Sequence, residues 1–191
     1  MSRVQIKTDN SHFEVKIALR MAFLPETTSI KILDCFAGEQ RIWTEIKLRN
    51  PNRRFEITSI DKKTILSNKI YLQGDNMKFL PNFDLDDFDI IDLDAYGIGF
   101  EILDYCLKHS TKPVIILTYI QSFFGMLPIR FLEAIGYNRV MVKKIPMLFC
   151  RDAFGKLRQY LSMNSSVGKI CWYDIERKYY IAIIRKNEDR S

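Results

Sequence analysis

Between residues 30 and 136 the chain alternates short apolar runs with stretches whose apolar residues recur every three or four positions. Ile30, Ile32 and Leu33 form the first run, which ends in Asp34 and the small-residue turn Cys35-Phe36-Ala37-Gly38. Ile42, Trp43 and Ile46 then carry a helical period to Arg49, where Asn50-Pro51-Asn52 stops it. This is a strand, a tight turn and a helix in quick succession. Further strands are expected at 55–60, ending at Asp61, at 70–73, ending at Gly74-Asp75-Asn76, and at 88–93, ending at Asp94-Ala95-Tyr96-Gly97. Phe100, Leu103, Cys106 and Leu107 mark an amphipathic helix to His109. The run 113–119 is apolar without alternation, so it predicts a strand buried on both faces, as in a parallel sheet covered by helices.

Outside that region the pattern is looser. Residues 11–24 predict a helix with Phe13, Ile17, Met21 and Leu24 on one face and Val15, Ala18, Leu19 and Ala22 on a second, capped by Asp9, Asn10 or Ser11. Residues 64–68 read as a short helical or turn segment, and 78–87 as a loop with one turn of helix. A helix over 128–135 is closed by Gly136. The alternation over 139–145 predicts a sixth strand, 149–163 a helix, and 169–173 and 179–185 two strands around a turn. Residues 1–10 and 187–191 read as irregular. The expected fold class is α/β: a doubly wound, Rossmann-like sheet, mostly parallel with antiparallel edge strands and helices on both faces. Residues 1–191 read as a single domain, with 1–28 as an N-terminal helical extension.

Composition narrows the class. Hydrophobic residues make up 47% and charged residues 27% of the 191, as in a globular protein, and no apolar run reaches the length that spans a bilayer. The first residues lack the apolar core of a signal peptide, so a cytoplasmic location and no membrane partner are expected. The four cysteines, at 35, 106, 150 and 171, show no metal-ligand spacing and read as free thiols, and His12 and His109 are isolated, so no metal site is expected. The net charge of +6 permits an anionic partner such as nucleic acid without requiring one.

The turn after the first strand would bring backbone amides and a helix N-terminus to a ligand. No Gly-Lys-Ser/Thr run is present for a P-loop. A dinucleotide site needs later glycines, whereas here only Gly38 stands in the turn, beside Glu39, whose charge would repel a pyrophosphate. S-adenosylmethionine has no phosphate and a cationic sulfonium, and an acidic turn suits it: Asp34 and Glu39 would face its cationic end. Asp61 is placed to accept from ribose hydroxyls, and Asp75 and Asn76 lie where an adenine edge would fall.

Leu33-Asp34-Cys35-Phe36-Ala37-Gly38 resembles the first motif of class I S-adenosylmethionine-dependent methyltransferases, in the variant found among enzymes acting on DNA and RNA. The resemblance spans roughly residues 30–120. It makes Asp34, Phe36, Ala37, Gly38, Glu39, Asp61, Asp75, Asn76 and Asp92 the cofactor-binding set. Asp92-Leu93-Asp94-Ala95-Tyr96-Gly97 is similar to the fourth motif, nearest to that of tRNA guanine-N2 methyltransferases. Gln40 stands where a second glycine is usual, and Ala95 where a proline is. The turns at 36–39 and 94–97 would flank one site. Asp94 would accept a hydrogen bond from an exocyclic base amine, and Tyr96 would stack on the base. Asp92 is either a buried acid paired with a basic group or a contact to the cofactor amine. The apolar loop 123–127 would be an acceptor wall or a core anchor, and Arg151, Lys156, Arg158 and Lys169 would meet phosphates. The expected function is methylation of a base amine in nucleic acid, RNA more than DNA, with a protein partner supplying specificity. The alternatives are a small-molecule or protein methyltransferase, or a non-catalytic scaffold of the same fold.

Overall fold

The structure, a computed structural model, describes residues 11–63, 70–95, 99–120 and 127–186. The expected segment at 64–68, Tyr96 and Gly97, most of the loop at 123–127 and both irregular termini lie outside those residues.

Seven strands form one sheet in the order β3-β2-β1-β4-β5-β7-β6. They are β1 (Ser29–Asp34), β2 (Arg54–Asp61), β3 (Leu72–Gln73), β4 (Ile90–Leu93), β5 (Val114–Ile120), β6 (Val167–Ile175) and β7 (Lys178–Arg185). The pairs among β1 to β5 are parallel. β7 inserts antiparallel between β5 and β6, so the edge hairpin seen in the sequence joins the sheet through its second strand. The chain builds outward from β1 to β3, then returns to lay β4 on the other side of β1. Their carboxyl ends therefore border a crevice at the point where the winding reverses.

Among the described residues seven α-helices pack around the sheet: α1 (Phe13–Ala22), α2 (Arg41–Arg49), α3 (Asn76–Phe79), α4 (Phe100–His109), α5 (Ile129–Ala134), α6 (Arg139–Lys144) and α7 (Ala153–Met163). Alternation along the strands divides the core in two. Ile30, Ile32, Ile90, Ile116 and Ala182 face Ile17 and Leu19 of α1 and Trp43 and Ile46 of α2. Leu33, Ile91, Leu93, Ile115, Leu117 and Ile183 face α4, α5 and α7. Full burial of each such aliphatic side chain contributes about 1.5–3 kcal/mol.

Two expectations change. Residues 139–145 form α6 and not a strand: Asn138 Oδ1 accepts from the amides of Val140 (2.9 Å) and Met141 (3.3 Å), an N-cap that starts a helix. α6 buries Val142 while Val140 and Met141 stay exposed. The second apolar side expected for α1 forms only in part, through the buried Leu19 and the half-buried Val15. Ala18 and Ala22 face solvent, whereas Lys16 and Arg20 are buried. α1 is thus an integral layer of the fold, with Arg20 fully enclosed.

Candidate functional site

The turn after β1 is held from three sides. Its Ala37 amide donates to Ile60 O (3.1 Å), its Gly38 amide to Asp61 Oδ2 (2.8 Å), and Cys35 O accepts from Asn76 Nδ2 (2.6 Å). Gly38 has φ +49°, in the left-handed region, and only Phe36 O lies within 4.0 Å of where a Cβ would stand. Gln40, which stands where the family's second glycine is usual, also has a left-handed φ of 55° and opens α2. That conformation costs a non-glycine residue free energy, which the turn's bonds offset.

Asp61 Oδ1 accepts from the Lys63 amide (2.8 Å), so the carboxylate bridges two backbone segments and retains lone pairs for hydroxyl donors. Asp75 caps α3 by accepting from the Met77 amide (3.0 Å) and pairs with Lys62 (3.2 Å); together these hold its carboxyl below the usual range. Asn76 is buried, and its Oδ1 makes no hydrogen bond within the protein. The turn after β4 meets the turn after β1: a Cβ on Gly99 would lie 3.4 Å from Ala95 Cβ and 3.8 Å from the Phe36 ring. Phe36, Ala37, Gly38, Glu39, Asp61, Asp75, Asn76, Asp94 and Ala95 therefore gather at the carboxyl edge of the sheet, around the β1–β4 crevice.

Behind this edge sits a buried charge cluster. Asp34 and Asp92 occupy paired positions of β1 and β4 and point to the α1–α2 face. Two carboxylates about 5 Å apart would repel by about 3 kcal/mol at an effective dielectric constant near 20. Arg20 answers this charge: its Nε donates to Asp92 Oδ2 and its Nη2 to Asp92 Oδ1, both at 2.6 Å. Trp43 Nε1 adds a bond to Asp92 Oδ2 (2.8 Å). Asp92 thus takes the first of its two expected roles, a buried acid paired with a base. Burial raises both carboxyl groups; Arg20 and Trp43 donate directly to Asp92 and oppose its rise, whereas burial and the Asp92 charge push Asp34 well above the usual range. Asp34 is enclosed here and not open to the crevice.

Asp94 lies at the mouth of the cluster. Lys16 Nζ donates to its Oδ2 (2.9 Å), and Arg20 Nη2 is 3.8 Å away. Burial pushes the Asp94 carboxyl up, but Arg20 and Lys16 together outweigh it and hold the group below the usual range. Its Oδ1 is buried, as is the Oγ1 of Thr118 on neighbouring β5, a hydroxyl that also favours the ionised Asp94. Asp94 does not cap α4, whose N-cap is Gly99.

Lys16, Arg20 and Trp43 were not singled out by sequence reasoning. Their signal was present in two places. Lys16 and Arg20 stand four apart, on one face of an otherwise apolar helix. Asp92 lies in the buried strand β4 and Asp94 just past its end, an arrangement that calls for buried cations.

No family model matches the sequence, and no curated protein does. Solved structures do match in fold. A candidate class I S-adenosylmethionine-dependent methyltransferase from Listeria monocytogenes superposes with a TM-score of 0.58 at 12% identity, covering 100% of this chain and 64% of its own. The precorrin-6y C5,15-methyltransferase of Geobacter metallireducens gives 0.55 at 13% identity, covering 98% and 94%. The plantazolicin methyltransferase BpumL, solved with S-adenosylhomocysteine, gives 0.52 at 13%, covering 92% and 82%. At these identities the likeness shows a shared Rossmann-like methyltransferase fold, hosted by proteins of differing substrates.

Proposed function

We propose that this protein is an S-adenosylmethionine-dependent methyltransferase acting on a base amine of nucleic acid, RNA more than DNA. The observation that carries the cofactor is the cradle at the β1–β4 crevice. There the Gly38 amide is anchored on Asp61, and among the described residues open space lies over the turn and a buried Asn76 Oδ1 is left without a donor. The cradle is rich in acceptors and carboxylates, which suits a phosphate-free ligand bearing hydroxyls, an amine and a positive charge. In this reading Asp61 holds the ribose hydroxyls, Asp75 and Asn76 the adenine side, and Phe36, Ala37, Gly38 and Glu39 the turn over the methionine part. Asp34 and Asp92 support that turn from behind. The bound cofactor supplies an electrophilic methyl group on sulfonium sulfur.

The chain's own contribution is orientation. Lys16 fixes Asp94 through Oδ2 at the mouth of the cluster, where the side chain keeps a small exposed part. An acceptor amine donating to the Asp94 carboxylate would be held in place, and positive charge developing on its nitrogen would be stabilised by the ionised group. Lys16 acts as a positioning residue. Tyr96, outside the described residues, is proposed to stack on the base.

Calorimetric titration with S-adenosylmethionine and, separately, with NAD tests the reading. Saturable binding of the first alone is expected. Absence of S-adenosylmethionine binding, or equal binding of NAD, overturns it.

A further inference from the structure

A row of rings leads away from the crevice. Tyr119, near the carboxyl end of β5, stacks on Tyr179 of β7 (centroids 6.0 Å, planes at 22°). Tyr179 stacks on Phe154 of α7 (3.8 Å, 11°), and Phe154 meets Trp172 of β6 edge-on (5.9 Å, 62°). The row ends on the surface, where Trp172 is 40% exposed and the Arg158 guanidinium lies 4.7 Å from its ring centroid. A groove of about 350 Å³ runs between α7 and the edge strand here, lined by Gly155, Arg158, Gln159, Ser162, Ile170 and Trp172.

Three of the lining groups have a use in recognising a base. The indole offers a stacking face, the guanidinium a second plane and a positive charge, and the Gln159 amide both a donor and an acceptor. No carboxylate lines the groove. Asp152 and Asp174 belong to the same two elements: Asp152 is occupied in capping α7, accepting from the Gly155 amide (3.1 Å), and Asp174 lies exposed on β6. A flat aromatic ring under a cation, in a groove without acids, is the chemistry of a single-stranded nucleic acid site. An apolar peptide would leave Arg158 desolvated, and a duplex could not bring a base face to the indole.

We propose that the α7–β6 groove is a subsite for an unpaired nucleotide of the acceptor strand, stacked on Trp172 and Arg158 at the end of an aromatic row that begins beside the crevice. This rests on, and deepens, the reading of the protein as a nucleic-acid methyltransferase. Of the four cations expected to meet phosphates, it places Arg158 at the subsite. Lys156 is turned aside, over the Tyr137 ring. Lys169 lies on the opposite face of β6 from Trp172, because its register partner Ile184 alternates with the core residue Ile183.

The chain has two tryptophans, and the other, Trp43, is buried and out of reach of a bound base, so a quench relative to the Trp43 background reports on Trp172. A ten-nucleotide oligouridine should quench the wild-type signal in a saturable way. Trp172→Leu should abolish the quench and weaken binding, measured by anisotropy of labelled oligouridine, by about tenfold, the loss of one stacked base. Arg158→Gln should weaken binding and flatten its salt dependence. Both variants should bind S-adenosylmethionine as the wild type does. Equal oligouridine affinity in wild type and Trp172→Leu, or equal affinity for duplex and single strand, overturns the subsite. No oligouridine binding with intact S-adenosylmethionine binding removes the subsite and leaves the methyltransferase reading standing. The converse result removes the methyltransferase reading and leaves the groove.

Discussion

Arg20→Met tests whether the buried cluster is held by its cation. The side chain is fully buried, and the substitution keeps most of its length while removing three donor contacts: two to Asp92 at 2.6 Å and one from Nη1 to Lys16 O at 2.9 Å. What remains is Asp92, enclosed beside Asp34, with Trp43 as its donor. Breaking one side of a buried pair costs about 3–5 kcal/mol, because the surviving charge is uncompensated. For a chain of this length each kcal/mol shifts the midpoint by about 2–4 °C, so a loss on the order of 10 °C is expected. The pH dependence has a definite sign. Without Arg20 the folded-state Asp92 carboxyl rises further above its unfolded value, so stability is lost as pH increases through that window, and the gap to wild type widens from pH 5 to pH 8. Urea unfolding at the two pH values measures both effects. In the double variant Arg20→Met/Asp92→Asn the orphaned charge is gone, and most of the loss should return. A single variant costing less than about 1 kcal/mol, or a double variant no better than the single, refutes the argument.

Asp34→Asn removes a carboxyl whose folded pKa is raised by burial and by Asp92. The wild-type contribution is fully present below the unfolded value near 3.8 and is lost as pH rises through the folded value, so the variant gains stability relative to wild type across that rise. Parallel unfolding curves at all pH values would contradict it. Lys16→Met should raise the Asp94 carboxyl, moving the acid limb of the turnover profile to higher pH, whereas a merely structural role would leave that limb in place. Asp94→Ala should lower turnover more than tenfold, above about 1.4 kcal/mol in the barrier, with S-adenosylmethionine affinity retained; turnover within tenfold would remove Asp94 as the amine-orienting group.

What could be read before folding was local. The apolar run ending at Asp34, the small residues of the turn and the period of α2 are set by neighbours a few positions apart. So are α4, bounded by the predicted residues Phe100 and His109, and the double-sided burial of β5. The gathering of Phe36, Asp61, Asn76 and Asp94 at one edge also followed from the sequence, because each ends or follows a strand and parallel strands present their carboxyl ends together. The tertiary structure decided what depends on distant partners. The alternation over 139–145 was overruled because the Asn138 cap favours a helix, of which Val142 is the buried residue. The pairing of Arg20 with Asp92 joins residues 72 positions apart, and that of Lys16 with Asp94 joins residues 78 apart. Period alone marked α1 as apolar, yet two of its buried positions are cations. Their enclosure follows from carboxylates that the β1–β4 register sets side by side, a charge no single segment of the chain reveals.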